Sequence, residues 1–340
     1  MDLAAAQRLW KPRPGWLNTA SYGLPPEPAW TALQAALADW RVGATSWEPW
    51  NATTDAARAG FARLIGVPVA DVAVGSQAAQ LIGTVATSVP DGSRVVVPEI
   101  EFTSNVFPWM AHGDRIKVRT APAGRLAEAV SAGCDVVAFS LVQSATGEVA
   151  DYAGIVAAAR AVGATVVVDA SQACGWLPFD GTLADVVVVS GYKWLMAPRG
   201  TAFGYFSPAV RDAIRPIAAN WYAEGSYYGA EMHLPGDARR FDLSPAWFCW
   251  VGAAPAIELL ERIGVAAVHD HDVGLANRFL TGLGRPPGDS AIVTVDAPDA
   301  ERRLAAAGIR AAVRAGRVRA SFHLYNTEDD ADAAVRALSG

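Results

Sequence analysis

The chain alternates between short runs that are apolar at nearly every position and longer stretches that are apolar on one side only. Residues 186–190 (VVVVS) and 165–169 (TVVVD) have no polar position to turn toward water, which marks strands buried on both faces. The same texture recurs at 71–75 (DVAVG), 93–99 (SRVVVPE), 134–142 (CDVVAFSLV) and 201–207 (TAFGYFS). Between these runs, 76–89 (SQAAQLIGTVATSV) and 152–164 (YAGIVAAARAVGA) repeat their apolar residues as helices do. Ser76 is expected to cap the first helix, and Gly163 to end the second. Apolar strands separated by helices predict an α/β fold with a mostly parallel central sheet covered on both faces. Past residue 254 the texture changes to an amphipathic helix (254–265), short strands (291–297 and 317–325) and a closing helix (329–339). The expected division is a large domain over 15–250 and a small C-terminal α+β domain over 255–340, with residues 1–14 packing with the latter.

Composition narrows the functional classes. The 340 residues are 52% hydrophobic and 18% charged, enough for a large core, and the net charge is −6. No basic cluster suggests nucleic acid, and no apolar run reaches the length of a membrane span. The N-terminal residues lack the apolar region of a secretory signal, so a soluble cytoplasmic protein is expected. Cys134, Cys174 and Cys249 have no metal-binding spacing and read as reduced thiols. His269 and His271 poorly share a face in either regular structure, and no metal is assigned to them.

The informative polar residues stand just after strand ends, where sheets of this kind bind ligands. Asp169 ends one strand and Gln172 follows it. Lys193 leaves the next strand through Ser190, Gly191 and Tyr192. Ser76 and Gln77 open a helix after the first strand, and Phe102 follows the strand that ends at Glu99. A lysine at the mouth of a buried strand is desolvated, which lowers its pKa and prepares it to react with an aldehyde. A buried aspartate suits a protonated pyridine nitrogen. Together they describe pyridoxal 5'-phosphate (PLP), held by a lysine Schiff base and an acidic partner for the ring. The helix start at Ser76 and Gln77 suits the phosphate, and Phe102 suits stacking on the ring. Taken singly, each residue has an ordinary explanation as a cap, a turn, a solvated lysine or core. Their order on consecutive strands is far more specific.

The segments VVVDASQ (166–172), VSGYKW (189–194) and RASFHLYNT (319–327) resemble the class V aminotransferase-type enzymes of fold type I. That group includes cysteine desulfurases, selenocysteine lyases, isopenicillin N epimerase and kynureninase. The resemblance runs from residues 17–26 (LNTASYGLPP) to 317–330. It implies that Lys193 carries PLP, that Asp169 holds the pyridine nitrogen and that Gln172 bonds the phenolic oxygen. Ser76, Gln77 and Ser190 would bind phosphate. Tyr192 takes a position where desulfurases usually have a phosphate-binding histidine, and Phe102 takes that of a ring-stacking histidine. Arg319 would grip the substrate α-carboxylate, with Ser144, Asn18, Ser21 and Tyr22 on the substrate side. The resemblance also implies a homodimer, with Ser244 in RRFDLSPAW (239–247) contributed to the partner's phosphate site.

One departure matters. Desulfurases carry sulfur on a loop cysteine shortly before the carboxylate-binding arginine, and residues 308–321 contain none. A true desulfurase is therefore not expected. The expected activity is PLP-dependent cleavage of a Cβ–S or other Cβ–heteroatom bond in an amino acid. Transamination to an oxo acid and epimerisation stay open. Epimerisation needs a second acid, for which Tyr192, Tyr22 and the tyrosines of residues 220–233 are candidates. A non-catalytic PLP-binding regulator fits less well, because the reactive residues are intact and no DNA-binding extension follows. Of the twelve tryptophans several cluster around residues 40–50 and 245–250, and these suit either an aromatic entrance wall or a dimer interface.

Overall fold

The computed structural model describes residues 1–224 and 228–339. Seven strands form the main sheet: β1 (Val72–Gly75), β2 (Ser93–Pro98), β3 (Ile116–Ala121), β4 (Val136–Ser140), β5 (Thr165–Asp169), β6 (Val186–Ser190) and β7 (Ala202–Phe206). Their spatial order is β1-β7-β6-β5-β4-β2-β3. Only β7 runs against the others; it pairs antiparallel with both β6 and β1. The remaining pairs are parallel, so β1, β2, β4, β5 and β6 release their loops at one edge.

The four valines of β6 show why the runs are apolar throughout. Successive side chains on a strand point to opposite faces. Val187 and Val189 enter one core, and Val186 and Val188 enter the other. Helices Glu27–Val42, Glu48–Leu64 and Trp247–Ile263 cover the first face, where the Phe61 ring stacks on Phe203 at 4.6 Å. Helix Ala78–Ser88 covers the second.

The C-terminal unit has a three-stranded antiparallel sheet of order β8-β10-β9, made of β8 (Ile292–Val295), β9 (Ala312–Arg314) and β10 (Arg317–Ser321). Helix Val265–Gly282 and helix Glu328–Ser339 pack on it around their own core. Helix Trp247–Ile263 runs unbroken through residues 250–255, where sequence texture suggests a domain boundary. The N-terminal residues touch both units. Trp10 donates to the Leu24 carbonyl, Gln7 to the Asn326 carbonyl and the terminal amine to the Arg262 carbonyl. Among the described residues no helix is long and apolar enough to cross a membrane.

One local expectation is corrected. The helix after β1 starts at Ala78, with Gln77 and not Ser76 at its N-cap position. The chain stays extended through Gln77 (φ −162°, ψ 153°), so the Ser76 side chain stands outside the helix. The Ala78 N–H meets the Ser190 hydroxyl across the sheet edge at 3.4 Å instead.

Candidate functional site

Lys193 sits in a tight loop at the end of β6. The Gly23 N–H donates to the Tyr192 carbonyl (2.9 Å) and the Met196 N–H to the Lys193 carbonyl (3.1 Å). A Cβ on Gly23 would collide with the Lys193 carbonyl oxygen, so only glycine lets residues 18–23 approach this closely. Met196 closes the loop with φ +53°, a left-handed conformation costing on the order of 1 kcal/mol, held by burial. The Lys193 side chain is 7% exposed. Its amine lies 5.5 Å from the Phe102 ring centre and 5.8 Å from that of Tyr192. Burial lowers the pKa of this amine to about 8. The Asp169 charge pulls it upward, and Arg319, Arg199 and Arg314 push it further down. Asp169 is buried, and its carboxylate accepts the Ser171 N–H at 2.8 Å. The Ser171 hydroxyl in turn accepts the Ser190 N–H, tying the end of β5 to the end of β6.

A second group forms beside the lysine. Arg319 is 1% exposed and donates to the Ser144 carbonyl (2.5 Å), the Ser144 hydroxyl (3.1 Å) and the Ser21 hydroxyl (3.0 Å). Ser21 donates to Asn18 at 2.7 Å. The Arg319 Nε is buried without a hydrogen-bond partner among the described residues. Burial, reinforced by Arg314, lowers this guanidinium to a pKa of about 10. Gln172 uses its amide on the Ala20 carbonyl and the Ser144 hydroxyl, both at 3.0 Å, and accepts the Trp194 indole N–H at 2.8 Å. The fold thus joins Asn18, Ser21, Ser144, Gln172 and Arg319 in one network.

The remaining expected residues lie around this centre. Ser76 and Gln77 are exposed at the helix start beside Ser190. Phe102 is 46% exposed above the lysine. Tyr192 lies under the Arg199 guanidinium at 4.8 Å. Tyr22 packs on the Trp16 ring at 4.6 Å and lines, with Trp30, Leu33, Tyr192, Met196 and Arg199, a cavity of about 320 Å³. Ser244 is exposed, next to Leu243, whose N–H donates to the Val74 carbonyl of β1. Tyr222 bonds Asn51 and is engaged in packing, and Tyr227 lies outside the described residues. The tryptophan-rich segments meet each other: Trp47 stacks on Trp247 at 5.5 Å, and Phe248 contacts Trp50 and Trp40 at 4.9 and 5.2 Å.

Several contributors escape a reading of strand ends. Glu101 is buried, and its carboxylate accepts from the Phe102 N–H, the Ser140 N–H and hydroxyl and the Gln143 amide. Burial pushes its pKa up, the Ser140 bonds pull it down, and Asp169 nearby adds to the rise. Arg58 and Asp242 form a fully buried ion pair (2.7 Å) that also bonds the Val72 carbonyl and Val74 N–H, fixing β1 to the segment leading into Ser244. Asp242 and Glu101 each stand beside a residue singled out in the sequence, but nothing in their own spacing distinguishes them from solvated acids.

No thiol enters the centre. Cys134 and Cys174 are buried, and Cys249 donates to the Arg199 carbonyl at 3.1 Å. Burial pushes all three thiols upward, away from thiolate. Strands β9 and β10 are joined by Ala315 and Gly316 alone, with φ +48° and +75°, the pattern of a tight two-residue hairpin.

The sequence pattern of the family described as aminotransferase class-V matches residues 45–306. An uncharacterized aminotransferase, YcbU, of Bacillus subtilis (strain 168) is 27% identical over 338 residues, covering 92% of this chain and 90% of its own. The isopenicillin N epimerase of Streptomyces clavuligerus is 27% identical over 275 residues, covering 72% of this chain and 67% of its own. The crystal structure of the cysteine desulfurase CsdA from Escherichia coli has the same fold, with a TM-score of 0.85 at 21% identity, covering 99% of this chain and 97% of its own.

Proposed function

This chain belongs to the aminotransferase class-V family of fold type I PLP enzymes, and we propose that it cleaves a Cβ–S, or more broadly a Cβ–heteroatom, bond in an amino acid. The donor set suits PLP. A buried amine with a pKa of about 8 faces an aromatic ring at 5.5 Å. A buried carboxylate lies on the adjacent strand, and a hydroxyl meets a helix N-terminus at the same edge. When bound, PLP supplies an aldehyde for the substrate amine and a ring that draws electrons from Cα. Lys193 would carry the cofactor and, with its amine free, would take the proton from Cα. Asp169 would hold the ring nitrogen in its protonated form. Gln172 donates both amide hydrogens, to Ala20 and Ser144, and would have to exchange one of these bonds to reach the phenolic oxygen; Ser190, Ser76 and Gln77 would hold the phosphate. Arg319 binds the α-carboxylate, for which its unpartnered Nε and flanking Ser21 and Ser144 are suited. Phe102 would stack on the ring and can move no proton, which leaves that task to Lys193.

The observation that favours the lyase reading over desulfurase chemistry is the two-residue hairpin at Ala315 and Gly316. It leaves no loop on which a thiol could reach the centre to accept sulfur, so the departing group leaves in solution. Transamination is the second reading. It needs no group beyond Lys193, and the relative that spans 92% of the chain bears an aminotransferase name. Epimerisation would ask Tyr192, 5.8 Å from the Lys193 amine, to act as a second acid.

A homodimer follows from the same reading, with Ser244 reaching the partner's phosphate site. Trp30 and Trp40, 51% and 61% exposed, support a covered face. The three free thiols support a reducing, cytoplasmic setting.

The test is a product assay on purified holoenzyme given L-cysteine, cystine, cysteine sulfinate, an S-alkyl cysteine sulfoxide and ordinary amino acids, with no oxo acid added. Many turnovers to pyruvate and ammonia are expected. A single equivalent of oxo acid per site, with turnover restored by an added oxo acid, would replace the lyase by an aminotransferase.

A further inference from the structure

We propose that Asp272 and His323 are a positioning pair for Lys193, clamping its loop through the carbonyl of Trp194. The inference rests on the reading of Lys193 as the cofactor lysine. His323 Nε2 lies 3.0 Å from the Trp194 carbonyl oxygen, and its Nδ1 lies 2.7 Å from Asp272 Oδ2. Both side chains have no exposed surface. A carbonyl can only accept, so Nε2 must carry a hydrogen. Nδ1 then either carries a second hydrogen toward an ionised carboxylate or accepts the hydrogen of a protonated one. In both arrangements the pair holds two protons and is neutral overall, as complete burial favours. Asp272 thereby fixes the tautomer that points a donor at Trp194. A neutral histidine without it can place its hydrogen on Nδ1 and turn a lone pair to the carbonyl.

The clamp completes a set. Three successive carbonyls around the lysine are each held: Tyr192 by the Gly23 N–H, Lys193 by the Met196 N–H and Trp194 by His323. The Trp194 indole is fixed separately on Gln172 at 2.8 Å. The first tie comes from the N-terminal segment and the second from the loop itself. The third comes from the C-terminal unit, with Asp272 on helix Val265–Gly282 and His323 two residues past β10, which carries Arg319. One short segment therefore supports both the carboxylate-binding arginine and the loop of the reactive lysine. The surroundings of the pair hold His269 and His271 on the Asp272 helix and the Tyr325 ring at 5.7 Å from that of His323. From the lysine loop, the Trp194 ring meets His323 edge-on at 5.2 Å. Burial raises the Asp272 pKa, and the three histidines oppose that rise.

The test uses holoenzyme and two readouts that simple loss of stability does not move: the pH midpoint of the bound-cofactor absorbance, and the rate of cofactor release into a scavenger. Thermal melts are recorded alongside. Asp272→Ala, and the double variant Asp272→Leu with His323→Phe, are expected to shift the midpoint by about half a unit or more. They should release cofactor about tenfold faster, the worth of one buried hydrogen bond. His323→Gln keeps an amide donor for the Trp194 carbonyl and should stay within about twofold of the wild type. The inference is overturned if the first two variants change only the melting temperature, or if His323→Gln is displaced as far as they are. If the double variant does not fold, Asp272→Ala against His323→Gln decides. A wild-type band that survives Lys193→Ala and still reduces with borohydride would overturn the reading of Lys193 itself, and this inference with it.

Discussion

Replacing Lys193 by methionine in the cofactor-free protein isolates what its burial costs. The two side chains have similar length and volume, but methionine carries no charge into the core. The lysine pKa falls from 10.5 to about 8 on folding. Because the folded value is the lower one, the unfolded chain binds the extra proton between these pH values. Wild-type stability therefore rises with pH through that window, and the full penalty applies below pH 8. A shift of about 2.5 units corresponds to about 3 kcal/mol at pH 7, decreasing to about 1.5 kcal/mol at pH 9.5. Lys193→Met should accordingly be more stable than wild type in urea at pH 7, by up to about 3 kcal/mol, with the gap narrowing by about half at pH 9.5. Urea melts of both proteins at the two pH values, freed of cofactor by dialysis, make the comparison. A gap that is the same at both pH values would refute the reasoning, because a lysine that keeps its ordinary pKa gives no such slope.

Three further outcomes are expected. Asp169→Asn should retain cofactor but lose turnover by about a hundredfold or more, since an unprotonated ring is a poor electron sink; stopped-flow measurement of α-deuterium release tests this, and near-normal rates would remove Asp169 from that role. Arg319→Ala should raise KM for amino acids by about 10- to 100-fold while leaving cofactor affinity unchanged, as befits a lost charge-assisted contact; the reverse ranking would place Arg319 against the cofactor. Arg58→Met should cost about 3–5 kcal/mol in urea melts by leaving Asp242 buried without its cation. Asp242 then takes up a proton at higher pH than in the unfolded chain, so the loss should be smaller at pH 5 than at pH 8, and a pH-independent loss would argue against a charge left behind.

The fold was legible because its signal is repeated. Apart from the edge strand β3, where Lys117, Arg119 and Thr120 are exposed, the strands of the main sheet are covered on both faces, so β5 and β6 read as unbroken valine runs, and polar residues after them mark one edge. Asp169 and Lys193 stand out because a charged side chain beside such a run is costly unless the site uses it, whereas Arg319 is marked only by the resemblance of the segment 319–327 that it opens. Ser76 was assigned one role too many: a serine before an apolar helix usually caps it, but here the strand's extended conformation continues past it and Ser190 meets the first free N–H. Glu101, Asp272 and His323 were illegible for another reason. Their partners are remote in sequence, with Asp272 and His323 separated by 51 positions and His323 and Trp194 by 129. Local patterning holds no trace of such pairings.

The same edge also explains why its charges differ in behaviour. Glu101 is ringed by four neutral donors, Asp169 accepts a backbone N–H, and Arg319 rests on serine oxygens. Such donors and acceptors hold these side chains in place. Lys193 instead faces the rings of Phe102 and Tyr192, which favour a cation only weakly. Its burial is thus opposed mainly by Asp169 across the sheet edge, and the result is a pKa of about 8. An amine so placed gives up and regains a proton near neutrality at small cost. The group whose protonation must change during turnover is thus set against aromatic faces, and that setting is as much a part of the site as the loop that holds it.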